Sequence, residues 1–291
     1  MQQINPELTI AMPVWNREDF VEESINSILK QNYKEYILII SDNGSTDETQ
    51  KICEDLSRKD TRIKYIRHEN NVGQTENFQF LIDNCATTYF MFASSDDLWS
   101  ENWVSELMNT VKGSNICAIG KNEYIDRNGN SISGINRSFD FSSNSRFLRR
   151  IKYIWNLNPL PIWGIYHSNL IKKNWRNVLG QDDNGIYKIR RAGDIYFNYI
   201  NLKTMKIKKN NNCTRYTRIH GNNQVEFIVD KKKFSIVAVI FSMLTVVNPF
   251  RLMLYSNIFE CLVIPFIYLL IITREIYLFT DYQLKKIKIS F

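Results

Sequence analysis

Tyr89-Phe90-Met91-Phe92-Ala93-Ser94-Ser95-Asp96-Asp97 is the stretch on which the fold turns. Five apolar residues in a row read as a strand buried on both faces. Two adjacent carboxylates at the mouth of such a strand are costly unless something cationic meets them. A parallel α/β sheet gathers its ligands at that edge, beyond the carboxyl ends of its strands.

The flanking sequence builds such a sheet. Residues 8–12, 36–40 and 63–66 are further apolar strand runs. Between them, Val21, Ile25, Ile28 and Leu29 mark one face of a helix over 17–31, and Ile52, Cys53 and Leu56 mark a second. Ser45-Thr46-Asp47-Glu48 has the form of a capping box at the start of that second helix. Phe78, Leu81, Ile82 and Cys85 mark a third helix, and residues 103–111 a fourth. Alternating helices and fully apolar strands predict a mostly parallel sheet covered on both faces. Beyond it, 116–120 reads as a strand, Asn128-Gly129 as a hairpin turn, and 146–157 and 194–202 as helices.

Composition narrows the class. The chain has 291 residues and ordinary apolar and charged fractions, which fit one large folded domain, or one domain with an appendage. Its net charge is +7, and its lysines and arginines cluster late, at 203–218, 231–233 and 285–288. Such clusters suit phosphates or an anionic membrane. No nucleic-acid motif accompanies them, so nucleic acid is not expected as a partner. Five scattered cysteines without CxxC spacing fit reduced thiols in a cytoplasm. The first residues carry no basic region and no apolar signal core.

Polar residues crowd the ends of the four strand runs: Pro13-Val14-Trp15-Asn16-Arg17, Asp42-Asn43-Gly44-Ser45, Asn70-Asn71-Val72-Gly73 and Ser94-Ser95-Asp96-Asp97. Each alone is an ordinary turn. Together on one sheet edge they predict a pocket, and the paired acids suit a divalent metal carrying a diphosphate. The first β–α turn has no G-x-G-x-x-G, and no GxxxxGK[ST] is present, which disfavours a nicotinamide dehydrogenase and a P-loop kinase.

In order and spacing, the segments Pro13-x-Trp15-Asn16-Arg17, Ser41 to Asp47, Asn71-x-Gly73, Ser95-Asp96-Asp97, Gly193-Asp194 and Tyr216-x-Arg218-x-His220-Gly221-x-Asn223 resemble the family 2 glycosyltransferases of the GT-A fold. The resemblance covers about residues 6–225. It implies a Rossmann-like α/β domain over 1–228, with a nucleotide-sugar half at 1–115 and an acceptor half at 116–228. It also implies a metal-dependent, inverting transfer of a sugar from a nucleotide-sugar, a UDP-sugar by preference, to a hydroxyl of a glycan acceptor. The acceptor would be lipid-linked, in the assembly of a cell-surface polysaccharide such as capsule, O-antigen or exopolysaccharide.

The resemblance also assigns roles. Pro13, Trp15, Asn16, Arg17, Asp42, Asn43, Asn71, Gly73, Asp96 and Arg218 would bind the nucleotide-sugar, with Asp42 accepting the uracil imide N–H and Trp15 flanking the base. Asp97 and His220 would hold Mg²⁺ or Mn²⁺. Ser94 stands where many family members carry an acid, so the division of labour between Asp96 and Asp97 stays open. Asp194 would be the base that takes the acceptor's proton, with Asp182 and Asp183 in reserve, and Trp163 and Gly164 would face the acceptor.

The C-terminus changes character. Residues 234–247 and 252–272 are mostly apolar and are broken by Pro249 and Pro265, and neither is a clean span of about 20 apolar residues. With the Lys285, Lys286 and Lys288 tail, the expectation is a C-terminal helical apolar appendage at 229–291 that lies on the membrane. The protein would then sit on the inner face of the plasma membrane. The alternative function is a non-catalytic nucleotide-sugar-binding or scaffold protein on the same fold, which Asp194→Asn would tell apart.

Overall fold

The computed structural model describes residues 5–132, 143–156, 160–181, 187–189, 193–220, 264–265 and 269. The alternation read from the apolar runs is present as β1 (Leu8–Val14), α1 (Val21–Leu29), β2 (Tyr36–Asp42), α2 (Thr49–Lys59), β3 (Ile63–Arg67), α3 (Gln74–Asp83) and β4 (Tyr89–Phe92). There follow β5 (Leu98–Trp99), α4 (Trp103–Val111), β6 (Ile116–Ile125), β7 (Ser131–Ile132), α5 (Arg146–Asn156) and a 3-10 turn at Leu160–Trp163. The remainder comprises β8 (Tyr166–His167), α6 (Ser168–Val178), β9 (Leu179–Gln181), β10 (Tyr187–Ile189), α7 (Gly193–Asn201) and β11 (Lys206–Arg218).

The main sheet has the order β3-β2-β1-β4-β8 and a second sheet the order β5-β11-β6-β7. Side-chain alternation along the central strands divides the core in two. Leu8, Ile10, Met12 and Val14 of β1 join Leu38 and Ile40 of β2 and Met91 and Ala93 around β4 on one face, against α1, α2 and α4. Ala11, Ile39, Phe90 and Phe92 point to the other face, against Leu81 and Ile82 of α3, Trp175 of α6 and Phe197 of α7. Strands loaded on both faces must be largely apolar, as β4 is throughout and β1 is apart from Thr9. In α1 the buried residues Val21, Ser24, Ile25 and Ile28 follow helical spacing, and burying each isoleucine contributes about 1.5–3 kcal/mol. That helix is shorter than the 17–31 expected because the Arg17 carbonyl accepts the N–H groups of both Phe20 and Val21, a turn that delays it.

The fold corrects the sequence expectation in two respects. The architecture is mixed rather than mostly parallel. Four pairings are parallel, β1–β2, β1–β4, β2–β3 and β6–β11. Four are antiparallel, β4–β8, β5–β11, β6–β7 and β9–β10. The antiparallel members are two- and three-residue strands, apart from their long partners, and are too short to leave a periodic signal. The second correction is to the C-terminal helical apolar appendage. Among the described residues no helix is long and apolar enough to cross a membrane. Of 229–291 only 264, 265 and 269 are described, and Ile264 is fully buried in the core cluster that also holds Phe197 and Trp175. The rest of that segment lies outside the described residues.

Two backbone positions shape the ligand edge. Asn16 adopts φ 48°, and its side-chain oxygen accepts the Thr46 N–H while its own N–H bonds Ser45 Oγ. The β1 and β2 loops are thereby tied together. Gly44 has φ 70°, and a Cβ there would lie 2.8 Å from the Asn70 carbonyl carbon. Gly44→Ala is expected to destabilise the protein by about 1–3 kcal/mol. A urea titration should show the midpoint fall with unchanged slope; an unchanged midpoint would refute the steric argument.

Candidate functional site

The polar ends of β1, β2, β3 and β4 do converge. They enclose a cleft of about 410 Å³ whose walls include Pro13, Trp15, Arg17, Asn43, Asn71, Asp96 and Trp163. In the sheet, β4 lies beside β1, then β2, then β3, so the cleft runs from an acidic end at Asp96 to a carboxamide end at Asn43 and Asn71. Trp15 stands half-exposed at the rim. Arg17 is held by its N–H on Thr49 Oγ1 and by Nη1 on the Asn16 carbonyl, which leaves Nε 3.8 Å from Asp96 Oδ2.

The two adjacent aspartates part company. Asp96 accepts from Ser94 Oγ on Oδ1, and its Oδ2 lies 3.0 Å from His220 Nε2. Burial acts to raise the Asp96 carboxyl, but hydrogen bonds from His220 and Ser94 and the charge of Arg17 outweigh it and hold it below the usual carboxylate range. Asp97 points away from the cleft and is 2% exposed. Arg215 grips its Oδ2 with both Nε, at 2.9 Å, and Nη2, and the Arg218 N–H donates to Oδ1 at 3.0 Å. Here burial dominates and raises the carboxyl against the opposing charge of Arg215.

His220 is buried, with its ring centroid 4.7 Å from that of Phe20. Arg218 is fully engaged: Nε bonds the Asp96 carbonyl, Nη1 the Arg127 carbonyl, and Nη2 Glu23 Oε2 at 2.5 Å. Asp42 is fully buried, and its Oδ1 accepts from the N–H and hydroxyl of Ser45 while Oδ2 accepts from Tyr65. Burial, reinforced by that bond, pushes the Tyr65 hydroxyl up, so it stays a donor. Ser45 therefore braces Asp42 instead of capping α2, whose first N–H, from Thr49, goes to Asp47 Oδ1. Gly73, at φ 99°, opens α3 and donates its N–H to Asn71 Oδ1. Gly164 lies where a Cβ would come within 2.5 Å of the Ala118 carbonyl, so it brings the Trp163 turn against β6. Asp194 lies in the first turn of α7; its side chain, like Asp182 and Asp183, falls outside the described residues.

Sequence reasoning passed over Arg215 and Tyr65. Cys213, Arg215 and Thr217 are buried at every second position of β11, with half-exposed residues between. A cation on the inward phase of a strand, in a chain with an unneutralised acid pair, was the available signal. Arg215 also lies 4.5 Å from the centre of the Trp163 ring. Asp97, Arg215 and Trp163 thus form one chain of contacts from the interior to the cleft wall.

Among the described residues no group of three or more histidine, cysteine or acidic side chains forms a metal cage. The Asp96–His220 pair is a carboxylate oxygen next to an imidazole nitrogen at the cleft's acidic end. A two-donor set of that kind suits an ion whose other positions are filled by phosphate oxygens and water. Asp97, neutralised by the Arg215 guanidinium and absent from the cleft wall, suits one less well.

A polar cleft beyond the carboxyl ends of parallel strands is the ligand edge of an α/β protein. The profile of glycosyl transferase family 2 matches residues 9–173, more than half of the chain. The chain belongs to that family of sugar-transferring enzymes. It is 30% identical over 126 residues to the GalNAc(5)-diNAcBac-PP-undecaprenol beta-1,3-glucosyltransferase of Campylobacter jejuni, a match covering 43% of this chain and 40% of that one. With Glycosyltransferase GlyA of Streptococcus pneumoniae serotype 4 it shares 31% identity over 108 residues, 37% of this chain and 15% of that one. Both matches thus span well under two thirds of the relatives' length. Among solved structures, S. aureus TarS in complex with UDP-GlcNAc superposes with a TM-score of 0.55 at 18% identity, over 81% of this chain and 64% of that one. The mannosyltransferase PcManGT of Pyrobaculum calidifontis, in complex with GDP-Man and Mn²⁺, gives 0.53 at 12% identity over 90% and 72%. At these identities the likeness concerns the fold.

Proposed function

We propose that this chain transfers a sugar, with inversion, from a UDP-sugar to a hydroxyl of a lipid-linked glycan in the assembly of a surface polysaccharide. The observation that carries this reading is the cleft itself: a rim aromatic and a carboxamide end on one side of the sheet edge, and the buried Asp96–His220 pair on the other. The donor reading is supported by the UDP-GlcNAc in TarS, and the acceptor reading by the undecaprenol-linked substrate in the name of the Campylobacter relative. Residues 1–228 form the transferase domain, with the donor bound by 1–115 and the acceptor by 116–228. The late basic residues would draw the protein to an anionic membrane on its cytoplasmic side, beside such an acceptor.

Each side chain has a physical task. Pro13 and Trp15 flank the base, and Asn16 fixes the loop that carries them. Arg17 faces the phosphates. Asp96 and His220 hold Mg²⁺ or Mn²⁺, which would supply positive charge against the departing diphosphate. Asp97 and Arg218 have other work: they lock β11 beneath the cleft. Trp163, steadied by Arg215, offers its ring to the acceptor. Asp194 takes the proton from the acceptor hydroxyl as that oxygen bonds the anomeric carbon. The bond from that carbon to the diphosphate oxygen breaks on the opposite side.

Calorimetric titration with UDP, with and without Mn²⁺, tests the reading. Binding strengthened by Mn²⁺ is expected, and Asp194→Asn should bind equally well while losing transfer. Failure of UDP, GDP, dTDP and CDP alike to bind would overturn the transferase reading. Asp42 is proposed as a brace and not as a base-reading group. Asp42→Asn should therefore cost about 1–3 kcal/mol in thermal unfolding and shift UDP affinity by less than about threefold. Loss of UDP binding at full stability would hand the base back to Asp42.

A further inference from the structure

We infer that the cleft reads the base of its nucleotide through a ring carbonyl oxygen, with amide N–H donors, and not through a ring N–H. The inference rests on the nucleotide-sugar reading above and sharpens which contacts select the donor.

The carboxamide end of the cleft is formed by Asn43 and Asn71. Both amides have a fixed orientation. Asn43 Oδ1 accepts the Val72 backbone N–H at 2.8 Å. Asn43 Nδ2 donates to Asn71 Oδ1 at 3.0 Å, and that same oxygen accepts the Gly73 backbone N–H at 2.9 Å. A backbone N–H can only donate, so turning either amide over would set donor against donor. Both lone pairs of Asn71 Oδ1 are thereby used. Asn43 keeps at most one lone pair, on an oxygen turned to the Val72 backbone. Against this stand three N–H groups without a partner among the described residues, two on Asn71 and one on Asn43.

No other described side chain at this end offers a strong acceptor. Asn77 is closed on Ser41, its Oδ1 accepting from the Ser41 hydroxyl and its Nδ2 donating to the Ser41 carbonyl. Asp42, the acid nearest in sequence, is fully buried beneath the turn, with Ser45 on Oδ1 and Tyr65 on Oδ2. Among the described residues Asp96 is the sole carboxylate in the wall, and it lies at the opposite end. Gln74, exposed like Asn71 but with no described partner to orient its amide, turns either way and gives no preference. A ring N–H placed here finds donors, whereas a carbonyl finds up to three. The base edge is thus selected by its oxygens.

The test is competition between UDP and N3-methyl-UDP, measured by calorimetry on the full chain with Mn²⁺. N3-methyl-UDP has lost the ring N–H and kept both carbonyls. It is expected to bind within about threefold of UDP, where a site built on an imide acceptor would lose about tenfold or more. Asn71→Ala should weaken both ligands alike, by about tenfold. Asn43→Asp places an acceptor in the wall and should create a preference for UDP over the methylated form. Unliganded thermal unfolding of each variant reports whether it is folded, and the wild-type comparison stands without them. If wild-type protein binds UDP about tenfold more tightly than N3-methyl-UDP, the inference is overturned and the transferase reading stands. If neither these nor GDP, dTDP or CDP binds, both fall.

Discussion

Asp96→Ala is expected to reduce sugar transfer by about a thousandfold, the scale on which loss of one preorganised charge-stabilising group is felt. The argument rests on place and partners. Asp96 is the one acid among the described residues of the cleft wall, its Oδ2 is 3.0 Å from His220 Nε2, and its carboxyl is held below the usual range. An ionised carboxylate beside an imidazole and the Arg17 guanidinium is a group kept charged in a site that excludes water on most sides. Removing it should also abolish the strengthening of UDP binding by Mn²⁺, and affinity for the metal-free nucleotide should change much less. Transfer assays at matched protein stability, with and without Mn²⁺, decide the matter. Activity within about tenfold of wild type would rule Asp96 out of the metal site.

Asp97→Ala should produce the other large effect, on folding. Its carboxylate is the only counter-charge described for Arg215, whose side chain is 6% exposed. Truncation leaves a guanidinium buried and unpaired and takes the acceptor from the Arg218 N–H. Breaking such a pair costs about 3–5 kcal/mol, a large share of the stability of any domain. Asp97→Asn keeps an oxygen for the Arg218 N–H and should fall between. Chemical denaturation measures both. If Asp97→Ala unfolds like wild type and loses only its response to Mn²⁺, Asp97 is the ligand and Asp96 is not.

The central strands could be read from the chain because burial on both faces forces apolar runs, as in Ile10-Ala11-Met12 and Phe90-Met91-Phe92. β11 could not, because Lys206, Lys208 and Asn211 keep one side of it in water and leave only a broken alternation. The site shows the same boundary. Clustering of Trp15, Asn43, Asn71 and Asp96 followed from strand order alone. The separate fates of Asp96 and Asp97 did not, since they are set by Arg215 and His220, more than a hundred positions away. Ser45 illustrates competition between local rules. It fits a capping box, but Asp42 three residues earlier offers both its hydroxyl and its N–H a buried carboxyl oxygen, and the hydroxyl is drawn there.

β11 reaches the cleft late in another sense. The main sheet is assembled from neighbouring strand–helix units, but β11 pairs in parallel with β6 and delivers Arg215 and then His220 to aspartates 118 and 124 residues upstream. Pairings that close so long a loop come last, because their entropy is lost before their contacts are gained. On the ribosome, residues 1–115 have all been made while Asp97 still lacks its arginine. The order of synthesis thus becomes an order of licensing: the acid end of the cleft is sealed only once residue 220 has emerged and docked, and a chain cut short before Lys206 carries an uncompensated charge at its heart.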